Sequence, residues 1–136
     1  MHSGQGYGLF AAKIWFTNAT LSRMSDLPLE VTPADVKRRM ETGEKIALVD
    51  VREPFEFQQA RIEHAELIPM GSVPSALQQL EGKADEATLV LYCHHGARSL
   101  QVAHWLREQG IHACQSMTGG IDRWSLEVDP SVPRYF

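Results

Sequence analysis

Seven residues in the second half of the chain combine a thiol, a glycine and a guanidinium: Cys93-His94-His95-Gly96-Ala97-Arg98-Ser99. They follow the β-branched and apolar run 88–92, which reads as a central strand, and precede a helical pattern over 98–109. Cys93 thus falls at the carboxyl end of a strand, where open parallel α/β sheets gather their ligands. A loop of this length can curl so that successive backbone N–H groups point inward beside a helix N-terminus and form an anion cradle. A thiolate inside it would be stabilised, with Arg98 and the helix dipole adding positive potential and Gly96 allowing a turn where a side chain would clash. The plainer reading of Cys93, a small buried hydrophobe at a strand end, leaves the glycine and arginine unexplained. For Cys114, inside a predicted strand and without such a loop, that plainer reading is preferred. His94 and His95 are adjacent, so they cannot share a metal as a helical pair would, and no further ligands stand at familiar spacing. No metal or cofactor is expected, and the two histidines are assigned to the mouth of the loop.

The elements that must hold this loop follow a repeating order. Residues 29–31 read as a short strand. Thr32-Pro33-Ala34-Asp35 supplies a cap hydroxyl, a first-turn proline and an acid for a helix that Gly43 can close. Residues 46–51 form an apolar run that fits a strand buried on both faces, and Pro54 can open a short helix through Phe57 and Gln58. A brief strand over 65–68, a helix over 72–80 ending before Gly82, and the strand 88–92 come next. The helix 98–109, a strand over 112–117 and a short helix over 121–126 complete the pattern, and prolines 130 and 133 end regular structure. Strands alternating with helices predict an α/β fold with a mainly parallel central sheet flanked by helices on both faces. Residues 1–25 lack either periodicity and are expected to be a disordered extension, leaving 26–136 as one domain.

Three motifs in order, Asp50-Val51-Arg52-Glu53, the loop 92–99 and Gly119-Gly120-Ile121-Asp122-Arg123-Trp124, resemble the rhodanese (thiosulfate sulfurtransferase) family. The resemblance covers 29 to about 124. It implies a single-domain rhodanese-like protein that moves sulfane sulfur from a donor such as thiosulfate to a thiophilic acceptor through a persulfide on Cys93. His94, His95, Gly96, Ala97, Arg98 and Ser99 would receive the substrate. In similar proteins the pair equivalent to Asp50 and Arg52 chiefly ties the strand end to neighbouring loops, and Arg52 is carried as a further contributor to the site. Gly119-Gly120 is expected to let backbone approach the cysteine loop. The alternatives are a non-catalytic binding or redox-sensing module in the same fold and, less favoured, a phosphatase or arsenate reductase. Related phosphatases place one residue more between cysteine and arginine, a wider cradle suited to tetrahedral phosphate.

Composition narrows the partners. Seventeen acidic against 13 basic residues give a net charge of −4, and no stripe of Lys and Arg could follow a phosphate backbone, so nucleic acid is not expected. No apolar run approaches the roughly 18 to 20 residues of a membrane span. Residues 9–16 are apolar, but Lys13 interrupts them and no basic run precedes them, so no secretory signal is read and the cytoplasm is the expected location. Two cysteines are too few for a disulfide framework. The expected partners are a small-molecule sulfur donor, a thiol or cyanide acceptor and, through the resemblance, a sulfur-carrier protein.

Overall fold

The computed structural model describes residues 27–136, and the extension expected over 1–25 lies outside them. In chain order the elements are β1 (Glu30–Val31), α1 (Pro33–Glu41), β2 (Ile46–Asp50), α2 (Pro54–Gln59), β3 (Glu66–Leu67), two 3-10 turns (Met70–Ser72 and Pro74–Ala76), α3 (Leu77–Ala84), β4 (Thr88–Tyr92), α4 (Ala97–Glu108), β5 (Cys114–Met117) and α5 (Gly120–Glu127). The start of α1 follows its chemistry: the Asp35 N–H donates to the Thr32 hydroxyl at 3.1 Å, and Pro33 occupies the first turn where no N–H is needed.

All five strands are parallel, in the order β1-β5-β4-β2-β3. Alternation along β4 explains why its sequence is apolar at nearly every position. Leu89, Leu91 and Cys93 enter the core on one face, with Val73, Leu80, Val102, Ala103 and Leu106 from the stretch around α3 and α4. Val90 and Tyr92 enter the core on the other, with Val36, Ile121 and Trp124 from α1 and α5. A strand covered on both faces has no solvent side on which to place polar residues. This is the α/β architecture that the alternating elements predict.

The strand order positions the site. After β2 the chain passes to β3 on one side, and after β4 it passes to β5 on the other, so connections diverge at the carboxyl ends of two adjacent strands. Such a divergence opens a crevice where ligands collect. The segments leaving it carry Arg52 and Cys93.

Two local expectations differ from what is observed. The helix expected over 72–80 is instead two 3-10 turns followed by α3, because Pro74 has no N–H to continue a ladder from the preceding turn and opens a new one. Gly82 does not stop α3, which runs on to Ala84.

Candidate active site

Cys93 follows the last residue of β4 and is only 1% exposed. Its Sγ is met by the N–H of Gly96 at 3.1 Å and that of Ser99 at 3.4 Å, with the Ser99 hydroxyl oxygen at 3.6 Å. Gly96 makes this convergence possible with φ of 109°, the left-handed region, as the residue capping α4. Ser99 is fixed in turn: its Oγ lies 2.7 Å from Ser116 Oγ and 3.3 Å from the Gly96 carbonyl. Donors aimed at a sulfur, beside the positive end of a helix dipole, suit a negative charge on that atom.

The carbonyls of the loop point the other way. The N–H of Ile121 donates to the Cys93 carbonyl at 2.9 Å and that of Asp122 to the His94 carbonyl at 3.2 Å, so the first turn of α5 grips the loop from behind. Gly120, with φ of 60°, lies so close that a Cβ there would overlap both carbonyls. The close approach expected of Gly119-Gly120 is therefore present, and its purpose is to let one helix N-terminus hold the loop's oxygens while the loop's own N–H groups hold the sulfur.

The remaining expected site residues take up different positions. His94 is half-buried, stacked between His95 and Tyr135 at 3.9 Å from each ring. Burial and the neighbouring His95 push its pKa down, so it is neutral at pH 7. His95 and Ala97 are exposed at the loop mouth. Arg98 turns away from a lone role in the cradle and grips the Glu56 carboxylate with two bonds, at 2.7 and 3.0 Å. That partner raises the guanidinium's pKa and offsets much of the positive potential expected from Arg98.

Arg52 requires a correction. It is wholly buried, and its N–H donors are all engaged: with both Asp50 oxygens at 2.9 and 2.6 Å, the Glu56 and Ala60 carbonyls at 3.3 and 2.6 Å, and the Tyr135 hydroxyl at 2.8 Å. No donor is left for a substrate. With Asp50 it ties the end of β2 to the Glu56 and Ala60 carbonyls. Cys114 is likewise the packed thiol expected, with burial pushing its pKa up.

Sequence reasoning missed Glu56, Tyr135 and Ser116. Glu56 accepts from the Glu53 N–H at 3.0 Å, from Arg98 and from the Tyr135 hydroxyl at 2.7 Å. Arg98 foremost, then Glu53 and Tyr135, hold its pKa at about 2 against burial. A glutamate three residues after a cap position, following Glu53-Pro54, is the pattern of a capping box and flags Glu56 locally. Nothing local links it to an arginine 42 residues away. Tyr135 follows two prolines and has no periodic signal at all. Among the described residues no cluster of three or more His, Cys, Asp or Glu side chains is placed to hold a metal.

A buried cysteine sulfur met by backbone amides at the carboxyl end of a central parallel strand defines an α/β domain built around a cysteine loop. The chain belongs to the rhodanese-like domain family, which matches residues 32–127. A sulfurtransferase of Allochromatium vinosum is 32% identical over 103 residues, covering 76% of this chain and 94% of that protein. The chloroplastic rhodanese-like/PpiC domain-containing protein 12 of Arabidopsis thaliana is 38% identical over 89 residues, 65% of this chain. This chain spans only 30% of that protein and 23% of the adenylyltransferase and sulfurtransferase MOCS3-1 of Zea mays. Among solved structures, the human single-domain sulfurtransferase TSTD1 superposes with a TM-score of 0.65 at 26% identity, covering 74% of this chain and 98% of that one. No helix among the described residues is long and apolar enough to cross a membrane.

Proposed function

We propose that this protein is a sulfurtransferase that carries sulfane sulfur as a persulfide on Cys93. The observation that carries the reading is the convergence of the Gly96 and Ser99 N–H groups on Cys93 Sγ. In the first half-reaction the Cys93 thiolate attacks the outer sulfur of a donor such as thiosulfate. A new S–S bond forms, the donor's S–S bond breaks, and sulfite leaves with the electron pair. In the second, a thiophilic acceptor such as cyanide or a thiol attacks the outer sulfur and regenerates the thiolate. Neither half-reaction with cyanide as acceptor moves a proton, which fits a sulfur met by fixed N–H donors and the Ser99 hydroxyl among the described residues.

The same geometry counts against phosphoryl chemistry. A phosphatase needs its arginine fork on the substrate's oxygens, whereas the Arg98 fork is held on Glu56. Names of relatives that carry the word sulfurtransferase support the same choice. A steady-state assay of thiosulfate:cyanide transfer tests the reading: activity is expected from the wild-type protein and none above background from Cys93→Ser. Full activity in Cys93→Ser, or turnover of a phenyl phosphate in place of thiosulfate, would contradict it.

A further inference from the structure

The segment after α5 crosses back to the cysteine loop, and no part of the sulfur chemistry above accounts for it. Tyr135 is tied at several points. Its hydroxyl donates to Glu56 Oε2 at 2.7 Å and accepts from Arg52 Nη1 at 2.8 Å. Its ring lies nearly parallel to that of His94, with 9° between planes, and its carbonyl oxygen is 2.9 Å from His94 Nε2. Arg134 beside it pairs with Asp122 of α5 at 2.8 Å. A carbonyl only accepts, so His94 Nε2 carries the hydrogen and the neutral ring keeps its lone pair on Nδ1.

These contacts close a loop of interactions around the site. Arg98, one side of the cysteine loop, is held on Glu56, and His94, the other side, is held on Tyr135. The Tyr135 hydroxyl joins the two anchors at the same carboxylate. We propose that Tyr135 is a positioning residue for the cysteine loop: anchored on Arg52 and Glu56, it holds His94 in one tautomer and one orientation at the mouth, and so sets how tightly the sulfur donor is received. This rests on the sulfur-carrier reading for its effect on turnover, but not for its effect on His94.

The groups facing His94 set its charge. Burial, to which the stacked Tyr135 ring contributes, and His95 of its own loop disfavour the cation, while the Tyr135 carbonyl, Asp122 of α5 and Glu56 of α2 favour it. The disfavouring side prevails. The one N–H of the His94 ring is taken by the Tyr135 carbonyl, so an anionic donor is met by backbone N–H groups of the loop, and His94 acts through where it holds that loop.

Two variants and two readouts test this. Tyr135→Ala removes the ring and hydroxyl, and Tyr135→Phe keeps the ring and carbonyl but loses the anchor. In the Ala variant, His94 followed by NMR is expected to titrate higher, toward the ordinary histidine value of about 6.5. Its KM for thiosulfate is expected to rise roughly five- to tenfold, the scale of one lost contact, with kcat within about twofold. The Phe variant should fall between it and wild type in both. A lowered Tm with the His94 titration and KM unchanged would make Tyr135 a stability residue only and overturn the proposal, as would a fall in kcat with KM unchanged. If the wild-type protein transferred no sulfur, the carrier reading would fall. The His94 titration would still decide: a shift in Tyr135→Ala supports the positioning role and no shift overturns it.

Discussion

The two cysteines differ in the atoms around each sulfur. Cys114 Sγ faces the carbonyls of Ile111 at 3.3 Å and Ala103 at 3.5 Å, acceptors that favour a protonated thiol. Cys93 Sγ faces N–H donors, which favour a charged sulfur and would favour a persulfide anion in the same place. Both residues belong to the same buried cluster, so burial alone does not distinguish them. The surrounding dipoles do. Arg52 gives the complementary lesson, because a charged residue near the cysteine loop has every donor taken up within the protein. Removing one member of a buried, hydrogen-bonded ion pair costs about 3–5 kcal/mol. Arg52→Met is therefore expected to lower stability to chemical denaturation by an amount of that order, while KM for the donor rises no more than in Tyr135→Phe, since only one of the two partners of the Tyr135 hydroxyl is lost. A large KM increase without loss of stability would return Arg52 to the substrate-binding set.

At the scale of elements, the loop is held between two helix N-termini with opposite tasks. The start of α4 supplies N–H groups to the sulfur, and the start of α5 supplies N–H groups to the loop's carbonyls. Gly120 is the contact point. Gly120→Ala would force a side chain into the Cys93 and His94 carbonyls at a backbone angle L residues rarely adopt, costing about 1–3 kcal/mol from strain alone. It is expected to lower both Tm and kcat, since the loop must move for the helix to accommodate it. Normal kcat in a destabilised Gly120→Ala would show that the loop's position is insensitive to α5. Element order and the strand before the loop were legible in sequence because both depend on local pattern: continuous apolar runs, Thr32-Pro33 at a helix start, glycine after a strand. The turns at Met70–Ser72 and Pro74–Ala76 were not, because apolar residues at 73, 77 and 80 fit one helical face even though Pro74 has no N–H to continue a helical ladder.

For the whole molecule, the site depends on contacts between distant parts of the chain. Cys93, Gly96 and Ser99 lie within one short stretch, and their convergence on the sulfur was legible from residue type and spacing. Glu56 and Tyr135 join that stretch only through the fold, across 42 and 41 residues, so the destination of Arg98 and the partner that orients His94 could not be read in advance. The Glu56 carboxylate makes this network sensitive to acid. Its folded pKa of about 2 lies below the ordinary 4.5, so the stabilisation is fully present above about pH 4.5 and lost as pH falls toward 2. The difference corresponds to stabilisation on the order of 3 kcal/mol at neutral pH. Urea unfolding between pH 7 and 3 should show the wild-type protein losing more stability than Glu56→Gln, and parallel curves would remove Glu56 from this role. The central claim, sulfur carried on Cys93, is tested most directly by the intact mass of the purified protein after thiosulfate and then after cyanide. The account predicts a gain of one sulfur atom, located on Cys93 by peptide mapping and lost with cyanide. No gain, or a gain on Cys114, would contradict it.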